Sequence, residues 1–268
     1  SIDLNGADSL QDFHLINNDN INAIDLSLNN KLFSLECYDN GSLTTLDLSN
    51  NIIINSILCR HNNLQMLNVD SCIALSELVF YNNNISNINL STNINLESID
   101  ANNNNLTSLD LSENSKLTSV NCSNNQLNTL DLSNNSDLLT LNLAANNLTL
   151  LDLRNGNNQS IGTTSIGFDI TANPNLFCVD VDNVGWSVAS WTYQGGNIDS
   201  WTYFSSNCNP IYGCIDTLAC NYDSLADIDD GSCDYSCNTT CSPITGVNLT
   251  DVIHDRATFN WDNMNSAS

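Results

Sequence analysis

A pattern of apolar residues and asparagines returns every 21 residues, or 22 in the first coils, through more than half of this sequence. In the stretch that begins at Leu117, apolar side chains stand at positions 1, 4, 6 and 11 and Asn125 stands at position 9. The same spacing starts again at Leu127, so one coil carries two strand-like segments separated by Asn-rich turns. A fixed period of this length predicts a solenoid, because each unit buries its apolar side only by stacking on its neighbours.

The register of the first half-coils holds through Leu10, Leu32, Ile54, Leu75, Leu96, Leu117 and Leu138. Their ninth positions are Asn18, Asn40, Asn62, Asn83, Asn104, Asn125 and Asn146. An amide repeated at the strand spacing of about 4.8 Å can bond to turn backbone groups above and below it, which predicts a buried Asn ladder. The matching column of the second half-coils is Asn29, Asn51, Cys72, Asn93, Asn114, Asn135 and Gly156, so Cys72 is interpreted as a buried substitute in that ladder.

The charge balance excludes whole classes of partner. The chain has 30 acidic and 5 basic residues, for a net charge of −25. Phosphate binding needs clustered Lys and Arg, so we expect neither nucleic acid nor anionic membranes as partners. No apolar run approaches the roughly 20 residues of a membrane helix, and we expect no membrane insertion.

The cysteines form two populations. Cys37, Cys59 and Cys122 occupy the inward sixth position, where we expect small buried apolar residues. Apart from Cys72 in the ladder, the remaining seven crowd the region where the repeat stops: Cys178, Cys208, Cys214, Cys220, Cys233, Cys237 and Cys241. This density predicts disulfides and an oxidising compartment, with the pairing left open.

The spacing Leu-x-x-Leu-x-Leu/Cys-x-x-Asn-x-Leu resembles the leucine-rich repeat family over roughly residues 1 to 155. Its alternation with Leu-Asp-Leu-Ser-x-Asn is similar to the repeats of secreted and cell-surface Bacteroidetes proteins that use type IX secretion. The resemblance implies a mostly β fold: a curved solenoid of 21-residue coils with a parallel sheet on its concave face and little helix.

The resemblance also implies a domain plan. We expect the solenoid over residues 1–175, with a polar loop over 155–164, and a C-terminal cap over 176–208. The cap carries the aromatic side chains of Trp186, Trp191, Tyr193, Trp201, Tyr203 and Phe204, and Cys178 with Cys208 is the pair expected to staple it. Residues 209–241 resemble a small Cys-rich acidic module, and residues 242–268 resemble the start of a fibronectin type III domain, an incomplete β-sandwich. Both ends look cut, so we expect an internal piece of a longer protein.

The outward positions of the early coils predict a ligand-binding surface. Later coils have small polar residues there, which make a solvated face. The coils at Leu32, Ile54 and Leu75 instead present Glu36, Tyr38, Asp39, Leu58, Arg60, His61, Glu77, Val79 and Tyr81. Tyr and Arg beside exposed aliphatics are the composition of interaction hot spots. The alternatives are a less regular sheet face, or packing against an upstream segment.

Ca²⁺ is the one cofactor that the sequence raises. Asn221, Asp223, Asp227, Asp229 and Asp230 offer oxygen ligands in a short loop before Gly231, although the spacing is not that of an EF-hand. The alternative is a disulfide-held turn with solvated carboxylates. A second column, Asp25, Asp47, Asn68, Asn89, Asp110, Asp131 and Asp152, admits a calcium ladder or, as we favour, hydrogen bonds to the Ser residues two positions on.

No catalytic motif occurs, and the three His residues are scattered. The sequence therefore predicts a non-enzymatic binding or adhesion segment at the outer cell surface or outside the cell. Its expected partner is a protein or a glycan on a cell or in the extracellular matrix. Two alternatives stay open: a self-associating structural subunit of a fibre or coat, and an accessory module of a secreted hydrolase.

Overall fold

The computed structural model describes residues 2, 4, 6–162, 167–209, 211–226, 228–236, 248–253 and 256–260. The chain divides into two compact units, residues 1–208 and 209–268.

The first unit is a parallel solenoid. Its strands are, in chain order, β1 (Asp12–Ile16), β2 (Ser34–Tyr38), β3 (Thr45–Asp47), β4 (Ser56–Leu58), β5 (Met66–Asn68), β6 (Glu77–Val79), β7 (Ser98–Asp100), β8 (Ser119–Asn121), β9 (Thr129–Asp131), β10 (Thr140–Asn142), β11 (Leu150–Leu153), β12 (Phe168–Asp169), β13 (Cys178–Val181) and β14 (Tyr203–Ser205). The first half-coils make an eight-stranded sheet in the order β1-β2-β4-β6-β7-β8-β10-β12. The second half-coils make a sheet of β9, β11, β13 and β14 and a pair of β3 with β5.

Strand pairing follows the sequence period. Ser98 pairs with Ser119 and Ser119 with Thr140, 21 residues on each time, whereas the earlier pair Ser34 and Ser56 is 22 apart. The apolar repeat positions of both half-coils are buried in one continuous core. Each fully buried Leu or Ile contributes about 1.5–3 kcal/mol, so stacking supplies the stability that no single coil has.

The first Asn ladder joins neighbouring coils. Asn125 Nδ2 donates to the carbonyl oxygens of Ala101 and Cys122 at 3.0 and 3.1 Å, and its Oδ1 accepts from the Leu106 N–H at 3.0 Å. Asn104 and Asn146 repeat this pattern in the adjacent coils. The structure thus confirms the buried Asn ladder, but each of these amides bonds to its own coil and to the preceding one, not to the coils on both sides as predicted.

The second ladder is less fully bonded. Asn114 Nδ2 donates to the carbonyls of Leu90 and Asn93 at 3.1 and 2.9 Å, while its buried Oδ1 has no partner among the described residues. In the coil that lacks the Asn, the buried Cys72 thiol lies 3.5 Å from the Leu48 carbonyl, as expected of a ladder substitute.

The prediction for the last rung of this ladder, Gly156, is wrong. Asn155 fills that rung and donates to the Asn135 carbonyl at 3.0 Å. The reason is that the turn after Leu153 is one residue shorter than in the preceding coils. Gly156 lies in the following turn with a φ of 77°.

One more coil follows where the sequence predicts the register to be lost. Strand β12 pairs with β10, and Asn173 adds a rung by donating to the carbonyls of Leu143 and Ile170 at 3.1 and 2.9 Å. The expected loop contains a 3-10 helix at Asn158–Ser160. The insertion there shifts the spacing and hides this coil from the pattern.

The cap contains a helix that the sequence did not predict, α1 (Val184–Ser190). Asn183 caps its N-terminus, since the Asn183 Oδ1 accepts the Trp186 N–H at 3.0 Å. Trp191 follows the helix, is 2% exposed, and stacks on Phe168 with ring centroids 3.9 Å apart. A disulfide joins Cys178 to Cys208, the pair expected for the cap. Together these contacts cover the end of the solenoid core.

The second unit has a small disulfide-bonded part. Strand β15 (Tyr212–Gly213) pairs in parallel with β16 (Ile228–Asp229), and a disulfide joins Cys214 to Cys233. Cys220 is also disulfide-bonded, while Cys237 and Cys241 lie outside the described residues. Farther on, β17 (Asn248–Ile253) and β18 (Arg256–Asn260) pair antiparallel. The fibronectin type III assignment remains a prediction.

Candidate binding surface

The nine predicted ligand-binding residues lie together on the outward side of the first sheet. They belong to β2, β4 and β6 and to the residues that immediately follow these strands. The register places Glu36 beside Leu58 and Leu58 beside Val79. Each of the nine side chains is half-buried or exposed. The structure therefore brings the predicted set into one surface.

Three of these side chains form a row across the strands. The Arg60 guanidinium carbon lies 4.0 Å from the ring centroid of Tyr38 and 5.9 Å from that of Tyr81. A guanidinium at this distance from an aromatic face makes a cation–π contact of about 0.5–1 kcal/mol at an exposed site. The contact restrains the long Arg60 side chain. Binding of a partner therefore costs less of the conformational entropy of that side chain.

The eighth residue of each first half-coil, which follows the strand, has a left-handed backbone conformation. The eighth residues of the first half-coils, Asn17, Asp39, His61, Asn82, Asn103, Asn124, Ala145 and Ala172, have φ values between 52° and 58°. The His61 ring packs edge-on against Tyr81 at 5.1 Å, and its Nδ1 lies 3.3 Å from Asn82 Nδ2. Asp39 and His61 thus share one backbone conformation, which sets the direction of their Cα–Cβ bonds at the end of the strand.

The carboxylates of the surface have partners that the sequence reading missed. Glu36 Oε2 lies 3.1 Å from His14 Nδ1, and Glu77 Oε2 accepts the Ser56 hydroxyl at 2.8 Å. On the other flank, Asp100 pairs in register with Val79. The sequence contained evidence for these neighbours, because His14 and Asp100 occupy the same fifth repeat position as Glu36 in other coils of the first sheet.

The later coils have a different outward side. The Thr140 hydroxyl donates to Ser119 Oγ at 2.8 Å, and Asn121 Oδ1 accepts the Ser123 hydroxyl at 2.9 Å. These short polar side chains bond to each other and present neither aromatic rings nor large aliphatics. The early coils therefore differ from the later ones in having aromatic and large aliphatic side chains on the outward side of the first sheet.

The second column forms local hydrogen bonds. The carboxylates of Asp25, Asp47, Asp110 and Asp131 each accept the backbone N–H of the Ser two residues on, at 2.9–3.0 Å. Hydrogen bonds from Ser27 lower the pKa of Asp25, and those from Ser112 lower the pKa of Asp110. The structure thus confirms the predicted hydrogen bonds between this column and the Ser residues two positions on.

The predicted calcium loop stays a prediction. Asn221 bridges the loop, since its Nδ2 donates to the Ser232 carbonyl at 2.8 Å and its Oδ1 accepts the Asp234 N–H at 2.7 Å. Asp223, Asp229 and Asp230 each accept a backbone N–H two residues on. Asp227 lies outside the described residues. No group of three or more His, Cys, Asp or Glu side chains within the described part of the chain is placed to hold a metal ion.

The sequence matches no protein family and no curated protein. Among solved structures, it is similar to the functional domain of InlJ from Listeria monocytogenes, which includes a cysteine ladder, with a TM-score of 0.50 and 32% identity over 59% of this chain and 37% of that one. A leucine-rich repeat protein of Leptospira interrogans matches with a TM-score of 0.49 and 19% identity over 65% of this chain and 43% of that one.

An internalin C2 from Listeria monocytogenes matches with a TM-score of 0.40 and 20% identity over 65% of this chain and 81% of that one. The chain thus spans less than half the length of the first two structures. The parallel sheets, the Asn ladders and the likeness to InlJ together show that the first unit folds as a leucine-rich repeat solenoid.

Proposed function

We propose that this chain is a non-enzymatic extracellular binding or adhesion segment, which binds a protein or glycan partner on the outward side of β2, β4 and β6. The observation that carries the proposal is the row of Tyr38, Arg60 and Tyr81. Tyr and Arg are, with Trp, the residues most enriched in interaction hot spots, and here they lie side by side on a parallel sheet. The similar solved structures are internalins and a leucine-rich repeat protein, and solenoids of this kind bind partners on such extended surfaces.

The proposed location rests on the disulfides of the cap and of the second unit, because such bonds persist in oxidising compartments. Within the described residues, no helix has the length and apolar character needed to cross a bilayer. Export by a type IX route is part of the proposal through the resemblance of the repeats to those of secreted Bacteroidetes proteins.

The test is a binding screen with a matched control. Wild-type chain, Tyr38→Ala/Tyr81→Ala and Tyr193→Ala/Tyr203→Ala are applied to arrays of purified matrix proteins and glycans. The control pair removes two tyrosines that are 60% and 58% exposed elsewhere on the first unit. We expect the first variant to lose about ten- to a hundredfold in affinity and the control to bind like wild type. Equal losses in both variants, or a wild-type chain that binds nothing, would contradict the proposal.

A second candidate function, self-association into a fibre or coat, has its own observation. Ile52, Ile73 and Ile94 occupy the same turn position in three consecutive coils and are 50%, 56% and 53% exposed. Such a ridge favours association, whereas the charge of −25 opposes it. Sedimentation velocity at high protein concentration separates the two: a monomer excludes the fibre, and salt-promoted oligomers that vanish in Ile73→Asn support it.

A further inference from the structure

We infer that the partner is a protein that places a lysine or arginine side chain over Leu58 and Val79, between the carboxylates of Glu36, Glu77 and Asp100. These five residues are called the acidic-rimmed patch. The inference rests on the proposed function and names the chemistry of the partner at that same surface.

Strand register builds the patch. Glu36 pairs with Leu58, Leu58 with Val79, and Val79 with Asp100, so these four residues lie side by side across β2, β4, β6 and β7. Glu77 precedes Val79 by two residues and therefore points to the same side of the sheet. Neighbouring strands lie about 4.8 Å apart, which places each carboxylate within one side-chain length of the apolar pair.

In each carboxylate, one of the two oxygens has a hydrogen-bond or ion-pair partner. Glu36 Oε2 lies 3.1 Å from His14 Nδ1, Glu77 Oε2 accepts the Ser56 hydroxyl at 2.8 Å, and Asp100 Oδ1 accepts the Asn102 N–H at 3.2 Å. The second oxygen of each has no partner among the described residues. These groups are therefore oriented before a ligand arrives, which reduces the entropy cost of binding.

A basic side chain fits this chemistry. Lys and Arg have an apolar stem and a cationic end, so the stem can cover the half-buried Leu58 and Val79 while the end meets a carboxylate. Strands β1, β2, β4, β6 and β7 contain no Lys or Arg. The one neighbouring guanidinium, of Arg60, lies against Tyr38. The net charge of −25 further steers a basic partner towards the chain and repels a second copy of it.

The same surface is less suited to binding a sugar. Glycan sites use free aromatic faces, but Arg60 covers one face of Tyr38 at 4.0 Å, and the register places Ile16 beside the same tyrosine. The His61 ring occupies the space next to Tyr81 at 5.1 Å. The observations therefore favour a protein with basic side chains over a glycan.

The test uses n-butylammonium as the probe for a lysine side chain and 1-butanol as its neutral counterpart. The full chain, labelled at Leu and Val methyl groups, is titrated at constant ionic strength and followed by NMR. Leu150, 41% exposed on the second sheet, reports on non-specific contact. The test variant is Glu36→Gln/Glu77→Gln/Asp100→Asn.

The matched control is Asp25→Asn/Asp110→Asn/Asp131→Asn, which removes the same charge from a column that already contains Asn68 and Asn89. We expect saturable shifts at Leu58 and Val79 with butylammonium, weakened about tenfold in the test variant and unchanged in the control. Identical responses to butylammonium and butanol, or equal weakening in both variants, would overturn the inference. Glycan binding in the array that depends on Tyr38 and Tyr81 would overturn it as well, while leaving the proposed function intact.

Discussion

The two Asn ladders make a quantitative prediction, because the same substitution should cost different amounts in each. Asn125→Ala removes the acceptor of the buried Leu106 N–H, which has no other partner among the described residues. The carbonyls of Ala101 and Cys122 lose one donor each, but keep a second from Asn104 and Asn146. An orphaned buried N–H costs about 1–3 kcal/mol and each lost bond about 0.5 kcal/mol, so we expect a loss of about 3 kcal/mol.

Asn114→Ala should cost less. Its Nδ2 donates to the Leu90 and Asn93 carbonyls, and each of these keeps a backbone donor, from Asn93 and Leu96 respectively. The substitution also removes a buried Oδ1 that has no partner in the described structure, which offsets part of the loss. We expect about 1 kcal/mol.

Equilibrium unfolding in urea measures both variants, followed by circular dichroism. Repeat proteins can depart from two-state behaviour, so the slopes must match that of wild type before the free energies of unfolding are compared. Equal losses, or a larger loss for Asn114→Ala, would refute the assignment of the two ladders to different bonding roles.

Three further predictions concern backbone strain, pH and the cap. Ala145 has a φ of 57°, so Ala145→Asn should stabilise the chain by about 0.5–1 kcal/mol in urea unfolding, whereas Ala144→Asn should not. Burial raises the pKa of the thiols of Cys37, Cys72 and Cys122 to about 12, and it raises that of Cys59 too, so stability should fall above about pH 9 as the unfolded thiols ionise. Each thiol contributes a slope of about 1.4 kcal/mol per pH unit, and Cys122→Ala should remove one such contribution. The disulfide between Cys178 and Cys208 closes a separation of 30 residues, so Cys178→Ser/Cys208→Ser should cost about 3–4 kcal/mol and speed proteolysis of the cap; unchanged proteolysis would contradict this role.

Periodicity predicted most of the solenoid, because one set of columns decides which residues are buried. It also predicted the positions of both Asn ladders and the place of Cys72 in the second one. It failed where the period changed: the insertion after Gly156 hid strand β12 and the rung of Asn173. Helix α1 was missed because its capping residue, Asn183, stands among many other Asn residues and so gives no distinct signal.

The candidate surface was predicted as a set of residues but not as an arrangement. Column positions placed Tyr38, Arg60 and Tyr81 on one side, since side chains alternate along a strand. They did not show that Arg60 stacks on Tyr38, because that depends on side-chain rotamers. The contact between His14 and Glu36 was also not predicted, because the repeat places the two residues in one column without giving their side-chain rotamers.

The most direct test of the central claim is hydroxyl-radical footprinting of the full chain with and without a partner found in the array screen. The account predicts that oxidation falls at Tyr38, Leu58 and Tyr81 when the partner binds. Tyr203 and Leu150, 58% and 41% exposed on the second sheet, should be oxidised equally in both samples. Protection at Tyr203 and Leu150 with none at Tyr38, Leu58 and Tyr81 would contradict the assignment of the binding surface.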